Sequence, residues 1–482
     1  MKKITKMSIT VLISVLILGI AYIGYNQVDA ETVTLNVDGK MVKFAAFEEF
    51  LRNFYPKPSF EKNNGYYKLW TLSLADTVDI ESDEVLLKYR RMHDPQYDND
   101  KYTKEWLEGL ENERAYFKKI ADKRYQLLEK METFDTFLVS NDMLGDRCTV
   151  ILKHKDAVME LKNLYQLILD RYVKLMECNV FEDFTRPSID ASIPNLLAFL
   201  HAGRLYNTIN VLDALEGNWK KGVSNILSHV RFGKKMVKSS RTLIFNLVSK
   251  AIANEALTAL ANLMNQPEFP KELYALILKE LPDFTYEEYG SRIPLYGEAF
   301  LSADKIVKEK GNLLVQENRT RQYVMDFFTN LINSEKIPPY RWKTTPLESM
   351  DVKSDLLWWV RNPGGKTLFQ ELIQTEDIKN FYPVVFKSYH LKIKNDLVRI
   401  SAELHLHYVP GTPAEEILKT LATYRSLPDP CTGKPYIWNS QKQLLYSIGL
   451  DKKDDGGYMS LKQIEGTDFT IPIILFVPPA TK

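Results

Sequence analysis

The chain has 482 residues, enough for two or three domains, and its 45% hydrophobic and 26% charged residues are the balance of a folded protein, not of a disordered one. Its 63 lysines and arginines nearly cancel 62 aspartates and glutamates, so no global field draws it to nucleic acid or to anionic lipid. Cys148, Cys178 and Cys431 form no CxxC pair, which excludes a zinc ribbon or a thioredoxin-like motif. Two readings of the thiols stay open: a Cys148–Cys178 disulfide in an exported protein, or three buried small hydrophobes.

Lys2, Lys3 and Lys6 precede an uncharged apolar run over 7–25, which is long enough to cross a bilayer as one helix. Lysines before the run and Asp29 and Glu31 after it orient the start inward and the remainder outward. The expected location is therefore the cytoplasmic membrane of a bacterial envelope, single-pass, with the bulk extracytoplasmic. Val28-Asp29-Ala30 carries small residues at peptidase offsets. Cleavage near Ala30, leaving a secreted or periplasmic protein, is the alternative.

Segment 31–100 is mixed. Residues 32–37 (TVTLNV) alternate like a strand, and Asp38-Gly39 predicts a hairpin turn. Helical periodicity follows. Residues 102–137 read as one or two amphipathic helices with Glu111, Glu113, Lys118 and Lys119 interleaved, and 157–178 carries Leu161, Leu164, Leu167, Ile168 and Val173 near a 3.6-residue period. Segments 194–215 and 219–230 form a helical pair across Glu216-Gly217-Asn218, with Gly217 as a left-handed C-cap. No second copy follows at a fixed period, so the pair is a core hairpin and not a repeat array. Segment 242–264 is apolar enough to suggest a second span. Asn246, Lys250, Asn254 and Glu255 interrupt it too often for lipid and predict a buried soluble helix. Further helices are predicted over 272–281, 303–315 and 320–332, with a proline-bearing loop over 336–346 and a turn at Asn362-Pro363-Gly364-Gly365.

Catalytic signatures fail one by one. Gly365-Lys366-Thr367 lacks the glycine that a P-loop needs at position 360, where Val360 stands. On a strand, Glu403, His405 and His407 would share a face and could ligate a metal. Leu397, Ile400, Leu404 and Tyr408 instead predict a helix, which turns the two histidines apart and makes them surface or capping residues. The paired acids Glu287-Glu288 matter only if a fold opposes carboxylates across a cleft. No catalytic residue is assigned.

The C-terminal ninety or so residues hold the most specific pattern. A helix over 389–408 ends at Pro410-Gly411-Thr412-Pro413, and a short helix covers 414–424. Asp429-Pro430-Cys431-Thr432-Gly433-Lys434-Pro435-Tyr436 then turns into a strand. A second strand over 443–448 leads to the acidic loop Asp451-Lys452-Lys453-Asp454-Asp455-Gly456-Gly457, and a last strand covers 469–477. Over about 390–472 this order resembles the globular domain of the type II secretion major pseudopilins, and the rest resembles bacterial envelope proteins. The resemblance implies calcium at the acidic loop. It places the family's loop aspartate on Asp451 and its later aspartate on Asp468, with Asp454 and Asp455 as assisting ligands. Carboxylates and carbonyls in a glycine-bearing loop are the hard oxygens that calcium takes. The competing reading is an exposed acidic turn offset by Lys452 and Lys453. The apolar run 7–25 departs from the family, having neither an acidic residue nor a Gly-Phe processing site. It reads as a plain tether.

The expected fold is mainly α: a transmembrane anchor (1–30), a mixed α/β segment (31–100), a large helical body (101–385) and a small α+β pseudopilin-like module (386–482). The expected function is a non-catalytic, membrane-tethered scaffold or interaction protein with protein partners in the envelope, linked to a secretion or surface assembly. An envelope hydrolase acting on glycan or peptide bonds is the alternative.

Overall fold

The structure is a computed structural model that describes residues 30–37, 40–44, 63–72, 147–183, 193–309, 316–342, 362, 367, 382–449, 453–457 and 469–472. The predicted anchor over 7–25 and the helices over 102–137 lie outside the described residues. What is described is mainly helical, as predicted.

The chain enters through an antiparallel hairpin, β1 (Val33–Val37) and β2 (Lys40–Phe44), in register Val33↔Phe44 to Val37↔Lys40. Alternation buries Val33 and Leu35. Helix α1 (Gly65–Thr71) is capped by Asn64, whose side chain accepts from Tyr66 N at 3.0 Å. Helices α2 (Arg147–Lys153), α3 (Lys155–Leu164) and α4 (Gln166–Met176) follow. The periodicity over 157–178 predicts one helix; the chain forms two, because the backbone leaves the helical region at Tyr165 (φ −98°, ψ 14°).

The centre of the molecule is α5 (Leu196–Leu215), α6 (Trp219–Ser239) and α7 (Leu243–Met264). Gly217 stands at φ 102° between α5 and α6, as its predicted C-cap role requires, and its N–H donates to Ala214 O at 2.8 Å. Segment 242–264 is the buried helix expected: α7 lies among α5, α6 and the long C-terminal helix. Then come α8 (Lys271–Glu280), the single turn α9 (Tyr286–Tyr289), α10 (Arg292–Glu309), α11 (Glu317–Lys336) and a 3₁₀ turn at Pro339–Arg341. Helix α10 begins eleven residues before the predicted 303, across Pro294. Proline in a first helical turn lacks only an N–H that would have had no partner anyway.

Helix α12 (Tyr382–His407) runs from the body into the C-terminal module, where α13 (Ala414–Thr420) and α14 (Ala422–Ser426) precede an antiparallel sheet β3-β4-β5 (Ile437–Asn439, Leu444–Ser447, Phe469–Pro472). The predicted helix over 414–424 breaks at Leu421, which is extended. All four residues of β4 are buried, and β4 and β5 pack on α12. The Asp429–Tyr436 turn owes its shape to one carboxylate. Asp429 Oδ1 accepts from Cys431 N at 2.8 Å and from Ser447 Oγ at 2.7 Å, and Gly433 (φ 70°) closes against the Tyr340 ring, where a Cβ would come within 2.7 Å. Tyr436 then reaches back to Asp396 of α12, its hydroxyl donating to Oδ2 at 2.9 Å. One apolar core runs from Val33 and Leu35 through α5–α12 to Tyr436 and Leu445. A second, aromatic-rich cluster joins α1, α4, α5, α6 and α7 around Tyr66, Tyr172, Phe199, Phe232 and Phe245.

Helix α6 crosses α7 closely at Gly233. A Cβ at Gly233 would lie 2.7 Å from Ala253 Cβ and 3.0 Å from its Cα, so backbone meets backbone. Gly233→Ala should therefore destabilise the fold by about 1–3 kcal/mol through overpacking, read as a lower urea midpoint at an unchanged slope.

Candidate functional site

A cavity of about 50 Å³ opens between α2, α5 and α7. Helical spacing builds it: Arg204, Asn207, Thr208 and Val211 share one face of α5, and Glu255, Ala259 and Asn262 share one face of α7. Arg147 and Cys148 close the third side from α2. At the mouth, Arg204 Nε donates to Glu255 Oε1 at 2.8 Å, with both side chains about one-fifth to one-quarter exposed (20% and 24%). Arg147 is disfavoured by burial and then by Arg204, with Glu255 opposing; a guanidinium nevertheless stays protonated. Lys394 of α12 is buried nearby, its Nζ donating to Thr258 Oγ1 at 2.8 Å. Burial and then Arg147 bring its ammonium down to about 7.

Behind the cavity, three helices meet in a polar chain. Tyr172 OH lies 2.7 Å from His229 Nε2, and His229 Nδ1 lies 2.7 Å from Asn207 Oδ1. Tyr172 and His229 are fully enclosed, and burial holds the imidazole neutral, with its pKa lowered to about 3. A Cβ at Gly203 would come 2.8 Å from the Tyr172 hydroxyl, so glycine makes room for this chain.

A second buried cluster sits where α7, α10, α11 and α12 meet. Lys250 Nζ donates to Ser291 Oγ and Ser388 Oγ, each at 2.6 Å. Ser388 Oγ donates to Glu335 Oε1 at 2.6 Å, Tyr286 OH to Oε2 at 2.6 Å, and Ser291 N to both carboxylate oxygens at 3.0 and 2.9 Å. Lysine between two serine hydroxyls is also the donor set of a Ser–Lys nucleophile pair, and burial lowers Lys250 to about 8 against the opposing pull of Glu335. Exposure decides between the two readings. Ser291, Ser388 and Glu335 are each 0% exposed, so no substrate carbonyl reaches the hydroxyls, and the cluster bridges helices.

Compared with protein-family models, curated proteins and solved structures, the chain finds no match.

The sequence-predicted metal residues are only partly placed. Asp451 and Asp468 lie outside the described residues. Asp454 and Asp455 are exposed. Asp454 Oδ1 is engaged inside its own turn, accepting from Tyr446 OH and Gly456 N, each at 2.9 Å, while Lys442 Nζ donates to Gly456 O at 2.9 Å. That ammonium occupies a carbonyl of the loop a cation would use. Among the described residues no group of three His, Cys, Asp or Glu side chains converges.

His405 and His407 both lie on α12, as the helix reading required. His407 is exposed and His405 half-buried: its ring stacks on Tyr274 at 4.9 Å and 3°, and burial lowers its pKa to about 4. Glu287 and Glu288 share the turn α9, where Glu288 completes the Thr285 capping box and pairs with Lys234 at 3.1 Å. Cys148, Cys178 and Cys431 are buried thiols, the second of the two readings.

His229 gives the site a pH signature. The unfolded chain takes up a proton at about 6.5 and the folded one only at about 3, so this residue's contribution falls as pH drops below 6.5. Glu298, raised by burial to about 7, and Asp396 and Asp429, raised to about 6, act in the opposite direction over much of that range. The difference between wild type and His229→Gln isolates the histidine. Between pH 6 and 4 the wild type should lose about 2–3 kcal/mol more stability than the variant in urea titrations.

Proposed function

We propose that the chain is a non-catalytic, membrane-tethered scaffold or interaction protein on the outer face of a bacterial cytoplasmic membrane, linked to a secretion or surface assembly. The observation that carries this reading is where the charged groups go. Lys250 and Glu335 are spent joining four helices. Asp396 is held by Lys392 and Tyr436, so the C-terminal sheet is fastened to the helical body. Such an arrangement favours a rigid platform over a cleft that opens on substrate. A surface feature adds support: Leu152, Met159, Leu164, Leu167 and Val173 are exposed on the consecutive helices α2–α4, and exposed apolar side chains suit a protein partner with an apolar helical face.

In the full chain solubilised in detergent and crosslinked, the wild type should carry a defined partner that the Leu164→Glu/Leu167→Glu variant loses at an unchanged melting temperature. Recovery of the wild type alone, or hydrolysis of glycan or peptide bonds by the purified chain, would overturn the reading.

Calcium at the acidic loop belongs to the same proposal, as a stabiliser of the C-terminal sheet through Asp451 and Asp468 with Asp454 and Asp455 assisting. Chelation should lower the melting temperature and Asp451→Ala should abolish that response; superimposable melts with calcium and with chelator would remove the ion.

A further inference from the structure

We propose that the cavity between α2, α5 and α7 binds a small inorganic oxyanion, held by Asn207, Arg147 and Arg204. Three independent observations converge on this ligand class.

The first is the direction of the polar chain behind the cavity. The Tyr172 hydroxyl is enclosed, and its hydrogen-bond partner is His229 Nε2. Donation from the phenol to that nitrogen pairs the phenolic hydrogen, whereas the reverse would strand it. A neutral imidazole that accepts at Nε2 carries its proton on Nδ1, and so donates to Asn207 Oδ1. The amide oxygen is thereby consumed, and the amide nitrogen is left to face the cavity. Asn207 is 6% exposed, and its Nδ2 is buried without a hydrogen-bond partner. A buried N–H that lacks an acceptor costs about 1–3 kcal/mol, so a ligand that accepts hydrogen bonds is the missing half.

The second is charge. Among the described lining residues, Arg147 and Arg204 face the cavity against the carboxylate of Glu255, which pairs with Arg204 Nε. The two guanidinium groups outnumber that carboxylate among the described lining residues. Partly desolvated guanidinium groups bind oxyanions through short, charge-assisted hydrogen bonds.

The third is size. A water centre takes roughly 10–15 Å³ of such space. The cavity, at about 50 Å³, suits several waters or one compact oxyanion and has no room for a nucleotide or a sugar. Asn262 on the α7 wall donates its Nδ2 to Thr258 O at 2.9 Å, so it supplies shape more than a donor.

Isothermal titration of the full chain in detergent with sodium nitrate, bicarbonate and phosphate, each in turn, tests the site. Saturable binding of at least one is expected, with a melting temperature that rises with its concentration. Asn207→Asp keeps an oxygen for His229 but puts a negative charge where the donor was. Asn262→Asp charges the opposite wall without touching the polar chain, and guards against misfolding of the first variant. Each should weaken binding by about tenfold or more, Asn207→Asp by losing a donor to the anion and both variants by setting a carboxylate against it. Absence of saturable binding of any of the three to the wild type overturns the proposal, as does unchanged affinity in either folded variant.

Discussion

The arrangement rests on a carboxylate and an ammonium that never meet water. Glu335 and Lys250 come from α11 and α7; the Ser388 hydroxyl bridges them, and Ser291 accepts from Lys250 by its hydroxyl and donates to Glu335 by its N–H. Isolated, either charge would be very costly inside a protein; joined through fully satisfied hydrogen bonds, they become tolerable only when four helices adopt one relative placement. Removing one partner of such a network typically costs about 3–5 kcal/mol, against a total stability of about 5–15 kcal/mol for a folded domain. The cluster therefore contributes less to net stability than to uniqueness: α10, α11 and α12 can dock on α7 in one way.

The same economy governs the C-terminal module. Its turn residues look at first like a linear motif, yet each answers a local need. Asp429 satisfies a backbone N–H and a serine hydroxyl, and Gly433 yields space to Tyr340. Tyr436 sends its hydroxyl across to Asp396, whose acidity burial has already weakened to about 6. The 3₁₀ turn after α11 closes the arrangement, with Tyr340 N donating to Pro430 O at 3.1 Å. The module thus takes its rigidity from α11 and α12.

Much of this was legible in the residues. Period and punctuation gave the α5–α6 hairpin with Gly217 at its corner, and the polar interruptions of 242–264 marked α7 as buried in protein and not in lipid. The limits were equally physical. Periodicity is blind to a break such as Tyr165 or Leu421, which leaves the apolar spacing on either side unchanged. Nor does it disclose the stacking of His405 on Tyr274, a partner 131 positions earlier in the chain with no local signature. The cavity is half visible: Glu255 is one of the polar interruptions of an apolar helix. That Arg147, Arg204 and Asn207 converge on it depends on how three helices cross, which no spacing encodes. The acidic loop shows the reverse case, a conspicuous pattern whose Asp454 is already occupied by Tyr446 and Gly456.

The chain from Tyr172 through His229 to Asn207 has a consequence for how the cavity wall is specified. The three residues sit on α4, α6 and α5, and only the last of them lines the cavity. Which end of an amide faces inward is ordinarily a free choice, since oxygen and nitrogen fill nearly the same space. Here the choice is made two residues away, by a phenol that can give its hydrogen to one ring nitrogen and to nothing else. Replacing that phenol by a phenyl ring would leave every atom of the cavity wall in place, yet would release the amide to present oxygen or nitrogen. The polarity of the wall is thus inherited from a helix that does not touch it.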